Sequence, residues 1–545
     1  MTVISSHASA DRSAPTAANW LASPLFFWGA LALYLAAHVA LRLWETPNLG
    51  KNDVQEALAA QGWAWGYHPR NPPLHTWLLM GSYYLFGVGL VAHVILKYVL
   101  LGGTYVFAWL SARILFSRME LATLGAFSLT LLTPFAWTVH TALTHTLLLA
   151  ALIFATLWAA LRVAIHRRLA DYAVLGFVIG LGLLAKYSYP LFLLPFLAAV
   201  LCQADLRRTF LHPRLLLTLG VALLVFAPHG LWMATASFDF IGFLADKQRS
   251  EVTHSYLLDV GTGLGNVAVG AMSFLAPLIL VSGLLLHGSP RSGEVGEVGA
   301  PAWGRVLMLA PVFGLGLLLA DVILFRATQF EERYFMCALL LAPLALFGWL
   351  DRRSLAVSDK TCVLFGASVL AGSLIVFSGL VGRALIYNRS CDRCLDEMAV
   401  GELVRRVRAD AGFERGTIVS DHYDLAGNMR IAFPRARVYA ANYVVETQLG
   451  DASGQCLLVW NARRVGDAAP ELLTTFLAQR GLTIPPGEPR FVEAPLLRSG
   501  TRMDRLAYWV LPNADGACKP SRDSWSGASY SVSGRKIGPA AAGPG

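Results

Sequence analysis

Charge is what this sequence lacks. Asp, Glu, Lys and Arg make up only 14% of its 545 residues, where a soluble globular chain carries about a quarter. Mean hydropathy is +0.52 and 55% of residues are hydrophobic, so most of the chain is solvated by lipid rather than water. No basic run with interleaved aromatics occurs, so the net charge of +9 does not indicate nucleic-acid binding; basic residues beside cytoplasmic helix ends set topology instead. No basic cluster precedes the first apolar run, which excludes the usual shape of a cleaved signal peptide. There is no internal repeat, no HExxH and no second CxxC beside Cys391-Asp392-Arg393-Cys394; the zinc reading is therefore weak.

What is there is a series of apolar runs. The first lies at about 25–43. Others lie near 89–112, 120–137, 142–163, 172–186, 190–203, 214–233, 264–287, 304–324, 334–350 and 361–382. A spanning helix needs about 20 apolar residues, so the expectation is a mainly α, polytopic membrane protein with about eleven transmembrane helices. The two runs around "KYSYP" are short and compete with one broken helix, and 73–88 reads as an amphipathic stretch along the interface. With the N-terminus cytoplasmic, every inside loop holds at least two basic residues, among them Arg113 and Arg118, Arg162, Arg167 and Arg168, and Arg207 and Arg208. The outside loops hold acids: Asp53, Glu56, Asp239, Asp246, Glu251, Glu331 and Glu332. This is the positive-inside pattern. It predicts a bacterial inner-membrane protein with a periplasmic C-terminal part.

From residue 385 the composition turns polar. "GTIVSD", "RVYAANY", "CLLVWN" and "RLAYWVLP" read as strands, and "MAVGELVRRVRADAG" and "PELLTTFLAQRG" as helices. The expected organisation is a disordered cytoplasmic segment 1–21, a membrane domain 22–384, a small periplasmic α/β domain 385–518 and a disordered Ser/Gly/Pro-rich tail 519–545. Cys391, Cys394, Cys456 and Cys518 are disulfide candidates in an oxidising compartment, with free thiols or a metal or redox site as alternatives. Cys202, Cys337 and Cys362 read as small core residues.

Ionisable residues at a membrane face are functional hypotheses, and here they gather on the outer face. The first outer loop, "GKNDVQEALAAQGWAWGYHPRNPPLHTW" (50–77), carries Asp53, Glu56, His68, Arg70 and His75. Lys186 and Tyr187, His229, and Glu332 with Arg333 stand at other outer helix ends, as do Asp239, Asp246, Lys247, Arg249 and His254. A carboxylate deprotonates a hydroxyl or amine; arginine and lysine hold a phosphate leaving group; tryptophan and tyrosine suit an interface and stack on sugars. Together these suit an enzyme that moves a sugar from a lipid-linked phosphate to an outside acceptor. Polar residues in the spans are few: Lys97, His145 and Asp321.

The loop "NDVQEALAAQGWAWGYHPRNPPLHTWL" resembles the first periplasmic loop of GT-C glycosyltransferases of the family 39 type. These include protein O-mannosyltransferases, aminoarabinose transferases acting on lipid A and galacturonic acid transferases of rhizobial lipopolysaccharide. "THTLLLAA", "GLLAKYSYP", "APHGLW" and "EERYFMCALLLAPL" add weaker matches, and the resemblance covers roughly 20–385. It implies a GT-C fold, a polyprenyl-phosphate sugar donor and a lipid or glycan acceptor (lipid A or core, another lipid, a polysaccharide or a protein hydroxyl). It implies no required cofactor, because Lys and Arg neutralise a single phosphate, although a divalent cation is compatible. The family's usual Asp-Glu pair is Asn52-Asp53 here. Asp53 then becomes the base, with Asn52 and Glu56 positioning the acceptor. Tyr67, Arg70, Asn71, Lys186, Tyr187, His229, Glu332 and Arg333 become substrate contacts; where relatives carry His-Pro-Pro or Lys-Pro this chain has Asn71-Pro72-Pro73, with Arg70 beside it for the phosphate.

Each assignment has a plain rival. Asp53 at a helix start is favourable without chemistry, Glu56 is one turn on and solvated, and Arg70 and Lys186 snorkel. Arg333 makes an interhelical ion pair, His229 is a satisfied helix-end histidine, and His145 is packed. Two rival functions remain at this stage: a transporter, with discontinuous helices and a midplane polar site, and a non-catalytic protein of the same fold.

Overall fold

The computed structural model describes residues 19–235, 255–286, 301–352, 357–387, 397–443, 445, 454–478, 487–498, 501–513 and 518. After a single 3-10 turn (Asn19–Ala22) comes α1 (Pro24–Glu45), a span of 22 residues, about 33 Å at 1.5 Å per residue. Two short helices follow outside the spans, α2 (Lys51–Ala59) and α3 (Leu74–Phe86). Pro72 and Pro73 end the connecting loop, and Pro73 is the N-cap of α3. Next come α4 (Leu90–Leu115), α5 (Met119–Phe127), α6 (Val139–Thr141), α7 (His145–His166), α8 (Leu169–Ala185), α9 (Pro190–Leu201), α10 (Ala204–Phe210) and α11 (Leu215–Thr235). The membrane part closes with α12 (Tyr256–Leu286), α13 (Pro301–Phe325), α14 (Glu332–Leu339), α15 (Ala342–Arg352) and α16 (Asp359–Gly382).

The apolar runs all become helices, but not all become simple spans. Among the described residues eight helices are long and apolar enough to cross a membrane, and two bent pairs raise this to ten. The expected count of about eleven is higher because α8, at 17 residues, falls short of a full span. The run 120–137 is bent by 76° where Leu132 turns extended before Thr133-Pro134; proline removes a helical donor and restricts its predecessor. A second pair, Pro190–Leu201 with Ala204–Phe210, turns by 117°. At "KYSYP" the chain is discontinuous: α8 stops at Ala185 and α9 starts at Pro190.

Close packing of α8 on α11 explains two glycines four residues apart. A Cβ on Gly176 would stand 2.3 Å from the Thr218 carbonyl oxygen, and one on Gly180 would stand 2.7 Å from Val225. Small residues at this spacing let helix backbones approach in lipid, where hydrophobicity itself does not drive association. The spans share one core running from Phe27 through Trp109, Phe154 and Phe196 to Phe347. Cys337 and Cys362 are buried as expected, whereas Cys202 is exposed at the end of α9.

The polar C-terminal part forms a five-stranded sheet of order β2-β1-β3-β5-β4, with β1 (Gly416–Ser420), β2 (Arg437–Ala440), β3 (Gly454–Asn461), β4 (Arg490–Pro495) and β5 (Met503–Asn513). β1 is parallel to β2 and β3, with Ile418 opposite Val438 and Leu457. β5 is antiparallel to β3 and β4. Successive side chains alternate between faces, so Leu457 and Val459 enter one core with α17 (Val400–Ala411) and α18 (Tyr423–Ala432). Leu458 and Trp460 enter another core on the opposite face, with α20 (Glu471–Ala478); the short α19 (Ala462–Val465) intervenes. A disulfide joins Cys456 to Cys518. Cys391 and Cys394 lie outside the described residues, as do the expected disordered tail and nearly all of the N-terminal segment. The four strands read from sequence are present; β4 and α18 were not anticipated.

This domain sits on α2. A Cβ on Gly427 would stand 2.4 Å from Val54 Cβ, and Leu58 of α2 belongs to the domain's own core. Asn428 Oδ1 accepts from Leu49 N–H at 2.8 Å, and Asn48 Nδ2 donates to Met398 O at 2.8 Å. Gln61 pairs with both backbone groups of Val438, each at 2.8 Å, as a neighbouring strand would.

Candidate active site

The first outer loop, the α8–α9 turn and the start of α14 meet at the end of the bundle that carries the C-terminal domain. Between them lies a cavity of about 150 Å³, lined by Asn52, Gln55, Glu56, Arg70, Asn71, Thr144, His145, Lys186, Tyr187, Arg333 and others. Residues scattered from 52 to 333 in sequence therefore share one wall. Arg70, Lys186 and Arg333 bring three cationic side chains to it. Lys186 Nζ donates to Thr146 Oγ1, Arg70 reaches Gln55 Oε1 at 3.5 Å, and Arg333 pairs with Glu331. Asn52 donates to the Ala142 carbonyl.

Glu56 is the carboxylate on this wall. Its Oε1 lies 2.7 Å from His145 Nε2, and its Oε2 lies 3.0 Å from His75 Nδ1 and accepts from Thr76 Oγ1 at 2.9 Å. Burial alone would raise its pKa; the two imidazoles outweigh it and hold the carboxyl well below its usual range. Glu56, His75 and His145 are all buried and their donor atoms lie within 4.8 Å of one another, close enough to hold a metal ion.

Asp53 faces a different space. It does not line the larger cavity but a smaller one of about 10 Å³, with His75, His93 and Lys97; Leu143 and Thr144 line both. Lys97 Nζ is 3.5 Å from Asp53 Oδ2 and His93 Nδ1 is 3.7 Å from Oδ1. Burial pushes the Asp53 carboxyl up, but Lys97 and His93 prevail and lower it, so Asp53 is ionised at neutral pH.

The remaining expected contacts divide. Tyr187 lines the cavity, whereas His229 stands behind it, accepting or donating to Tyr187 Oη at 3.1 Å and bonding Trp65 O at 2.7 Å. It braces the loop, as the helix-end alternative anticipated. Tyr67 is buried below the loop, its hydroxyl receiving Ala64 N–H at 3.2 Å, and burial pushes the phenol up to about 12. Glu332 bonds Thr138 Oγ1 at 2.8 Å and lines a neighbouring cavity of about 730 Å³ instead. His68 stacks on Tyr443 and accepts Arg70 N–H through Nδ1 at 3.0 Å; burial pushes its pKa down to about 3, with the Arg70 charge adding. Asp239, Asp246, Lys247, Arg249, Glu251 and His254 lie outside the described residues.

Sequence reasoning missed His93 and Tyr334 and undervalued Lys97 and His145. A lysine inside an apolar helix was the available signal; its partner on α2 was not. Tyr334 lines both the polar cavity and an apolar groove of about 230 Å³ formed by Leu191, Leu317, Leu318, Leu324 and Phe325. A polar pocket thus adjoins a largely apolar groove, whose wall also holds Asp321 and Gln329.

Residues 70–232 match the family of dolichyl-phosphate-mannose-protein mannosyltransferases. Over 480 residues the chain is 26% identical to lipopolysaccharide core galacturonosyltransferase RgtA of Rhizobium johnstonii, covering 83% of this chain and 91% of that one. Over 497 residues it is 27% identical to lipopolysaccharide core galacturonosyltransferase RgtB of the same organism, covering 88% and 96%. Among solved structures, ArnT from Cupriavidus metallidurans bound to undecaprenyl phosphate superimposes with a TM-score of 0.55 at 11% identity, over 93% of this chain and 100% of that one. The sequence similarities are to glycosyltransferases, and the superposition on ArnT shows a shared GT-C-type fold; the chain is an integral-membrane glycosyltransferase. The matched family segment begins at Arg70 and contains His75, His145, Lys186 and His229, but not Asp53 or Glu56.

Proposed function

We propose that this protein transfers a uronic acid, galacturonic acid in the first instance, from a polyprenyl phosphate to a hydroxyl of the lipopolysaccharide core on the periplasmic face of the inner membrane. The observation that carries this is the gathering of Arg70, Lys186 and Arg333 on one small cavity. Beside the donor phosphate, a sugar carboxylate would offer a second anion to an arginine fork. The adjoining groove beside Tyr334 suits an isoprenoid chain entering from the bilayer. RgtA and RgtB, named for the same transfer, align over most of the chain. Basic Arg162, Arg167, Arg168 and Arg214 lie at the opposite end of the bundle, by Asp171, which supports a cytoplasmic placement of that end.

In this reading Asp53 is the base. Its carboxylate meets Lys97 and His93 only at ion-pair distances of 3.5 and 3.7 Å and keeps acceptor capacity for an incoming hydroxyl, whereas both Glu56 oxygens are taken by hydrogen bonds. The acceptor's proton passes to Asp53, its oxygen bonds to the anomeric carbon, and the carbon–oxygen bond to phosphate breaks with its electron pair. Polyprenyl phosphate leaves against Lys186 and Arg333, and the anomeric configuration inverts. Glu56 is a second reading for the base, favoured by its place on the larger cavity itself.

Purified protein should move galacturonic acid from its polyprenyl phosphate to core oligosaccharide, followed by mass spectrometry. Asp53→Asn should lower kcat by about 10² to 10⁴, the usual span for a general base, with the protein still inserted. Full activity in Asp53→Asn with none in Glu56→Gln would move the base to Glu56. No transfer from any polyprenyl-phosphate sugar would end the enzymatic reading.

A further inference from the structure

We propose that Glu56, His75 and His145 form a divalent-metal site, suited to zinc or manganese, set in the wall between the Asp53 cavity and the cation-lined cavity. The site deepens the transferase reading and rests on it only for its use, not for its existence. Three elements supply the ligands: α2 gives Glu56, α3 gives His75 and α7 gives His145. All three are buried. Two imidazole nitrogens and one carboxylate oxygen, with a further position open, is a common zinc ligand set, and imidazole with carboxylate also suits manganese. Donors about 2.0–2.1 Å from a tetrahedral ion stand roughly 3.3 Å apart. Here Glu56 Oε1 is 2.7 Å from His145 Nε2, and Oε2 is 3.0 Å from His75 Nδ1, so small outward shifts admit an ion.

The contacts around the cluster hold the ligands in place. His145 Nδ1 lies 3.3 Å from the Ala185 carbonyl oxygen, and its Nε2 hydrogen-bonds Glu56 Oε1 at 2.7 Å, a contact that an ion replaces when the imidazole proton leaves. A ligand histidine anchored through its other nitrogen to a backbone carbonyl, with the ligand carboxylate held by a hydroxyl, is how metal sites are commonly oriented; Thr76 Oγ1 supplies that hydroxyl to Glu56. Sequence gave no warning, because residues 56, 75 and 145 have no motif spacing.

The position suggests what the ion does. Glu56 and His145 line the cavity of Arg70, Lys186 and Arg333, while His75 lines the cavity of Asp53. An ion held by all three is presented to the region where an acceptor hydroxyl would pass from the base toward the donor. Coordinated there, the hydroxyl oxygen would be oriented and its proton made more acidic.

The test reads metal directly. Full-length protein purified in detergent without added metal is analysed for transition metals by mass spectrometry, then stripped with chelator and titrated with Zn²⁺, Mn²⁺ and Mg²⁺ while its melting temperature is followed. About one ion per chain, or saturable stabilisation of the stripped protein by Zn²⁺ or Mn²⁺, is expected, with His75→Ala and His145→Ala each losing it at least tenfold. A wild-type protein that holds no ion and gains no stability from any of the three overturns the proposal. So does undiminished binding in folded His75→Ala and His145→Ala proteins. Because occupancy is read without a sugar donor, metal binding without transfer would count against the transferase reading alone, and transfer by a metal-free, chelator-indifferent enzyme against the metal site alone.

Discussion

Asp53 and Glu56 are one turn apart on α2, yet each meets different chemistry. Lys97 and His93, both from α4, enclose the aspartate; His75 and His145, from α3 and α7, enclose the glutamate. The i,i+3 spacing was legible in the sequence, and so were the pocket's cations as candidates, Arg70 in the first loop and Lys186 and Arg333 at helix ends. Which carboxylate faced which partner was not legible, since that depends on how α4 and α7 rotate about their axes, and apolar helices offer no stripe from which to read rotation. The Asp53–Lys97 pair makes a pH prediction. Lys97 is the larger of the influences that lower the Asp53 carboxyl, so in the wild type the acid side of the rate profile, where Asp53 would be protonated, falls well below neutrality. Lys97→Met removes the first of these opposing charges and leaves His93 alone beside the carboxyl against burial, so the carboxyl rises. The acid limb of kcat/KM should then move up by at least one pH unit. An unchanged limb would mean that Asp53 takes no proton from the acceptor.

At the scale of elements, α2 is short, with nine residues, and a helix of this length is marginal by itself. It is held from one side by the spans and from the other by α18. The close approach of Gly427 to Val54 requires a residue without a side chain, and Asn428 and Gln61 complete the clamp. α18 escaped the sequence reading because "YDLAGNMRIA" carries glycine and asparagine at positions where helix propensity is poor. Those two residues face α2, so a contact requirement overrode the local preference. The strands were easier: β1 and β3 are continuous apolar runs of a buried parallel pair, while β4, at the sheet edge, has only Val492 and Ala494 well buried. Gly427→Leu should displace α2 and misalign its carboxylates. We expect kcat to fall at least tenfold with donor KM changed by less than threefold, because the cations come from other elements. A loss confined to KM would mean that the domain serves substrate capture instead of holding the base.

For the whole molecule, composition and hydropathy foretold a helical membrane body with a small α/β domain, and the fold agrees. Helix count was less legible because hydropathy registers a bent pair and a straight span alike; proline geometry at Pro134 and the turn at Gln203 decide between them. Orientation rests on charge alone. The end carrying Arg118 and Asp351, Arg162 and Asp171 lies opposite the end carrying α2, Lys186 and the sheet domain, and the positive-inside rule assigns the first to the cytoplasm. A pair of introduced cysteines tests it in a Cys202→Ser, Cys391→Ser, Cys394→Ser background, whose own labelling is the blank. Glu414→Cys lies in the sheet domain and Arg168→Cys at the α7–α8 turn, both at exposed positions. A membrane-impermeant maleimide applied to cells with a permeabilised outer membrane should label the first and spare the second until the inner membrane is broken. The reverse pattern would put the three-cation cavity in the cytoplasm. Donors flipped to the outer leaflet could not then reach it, and the periplasmic core-sugar transfer proposed for it would have to be abandoned.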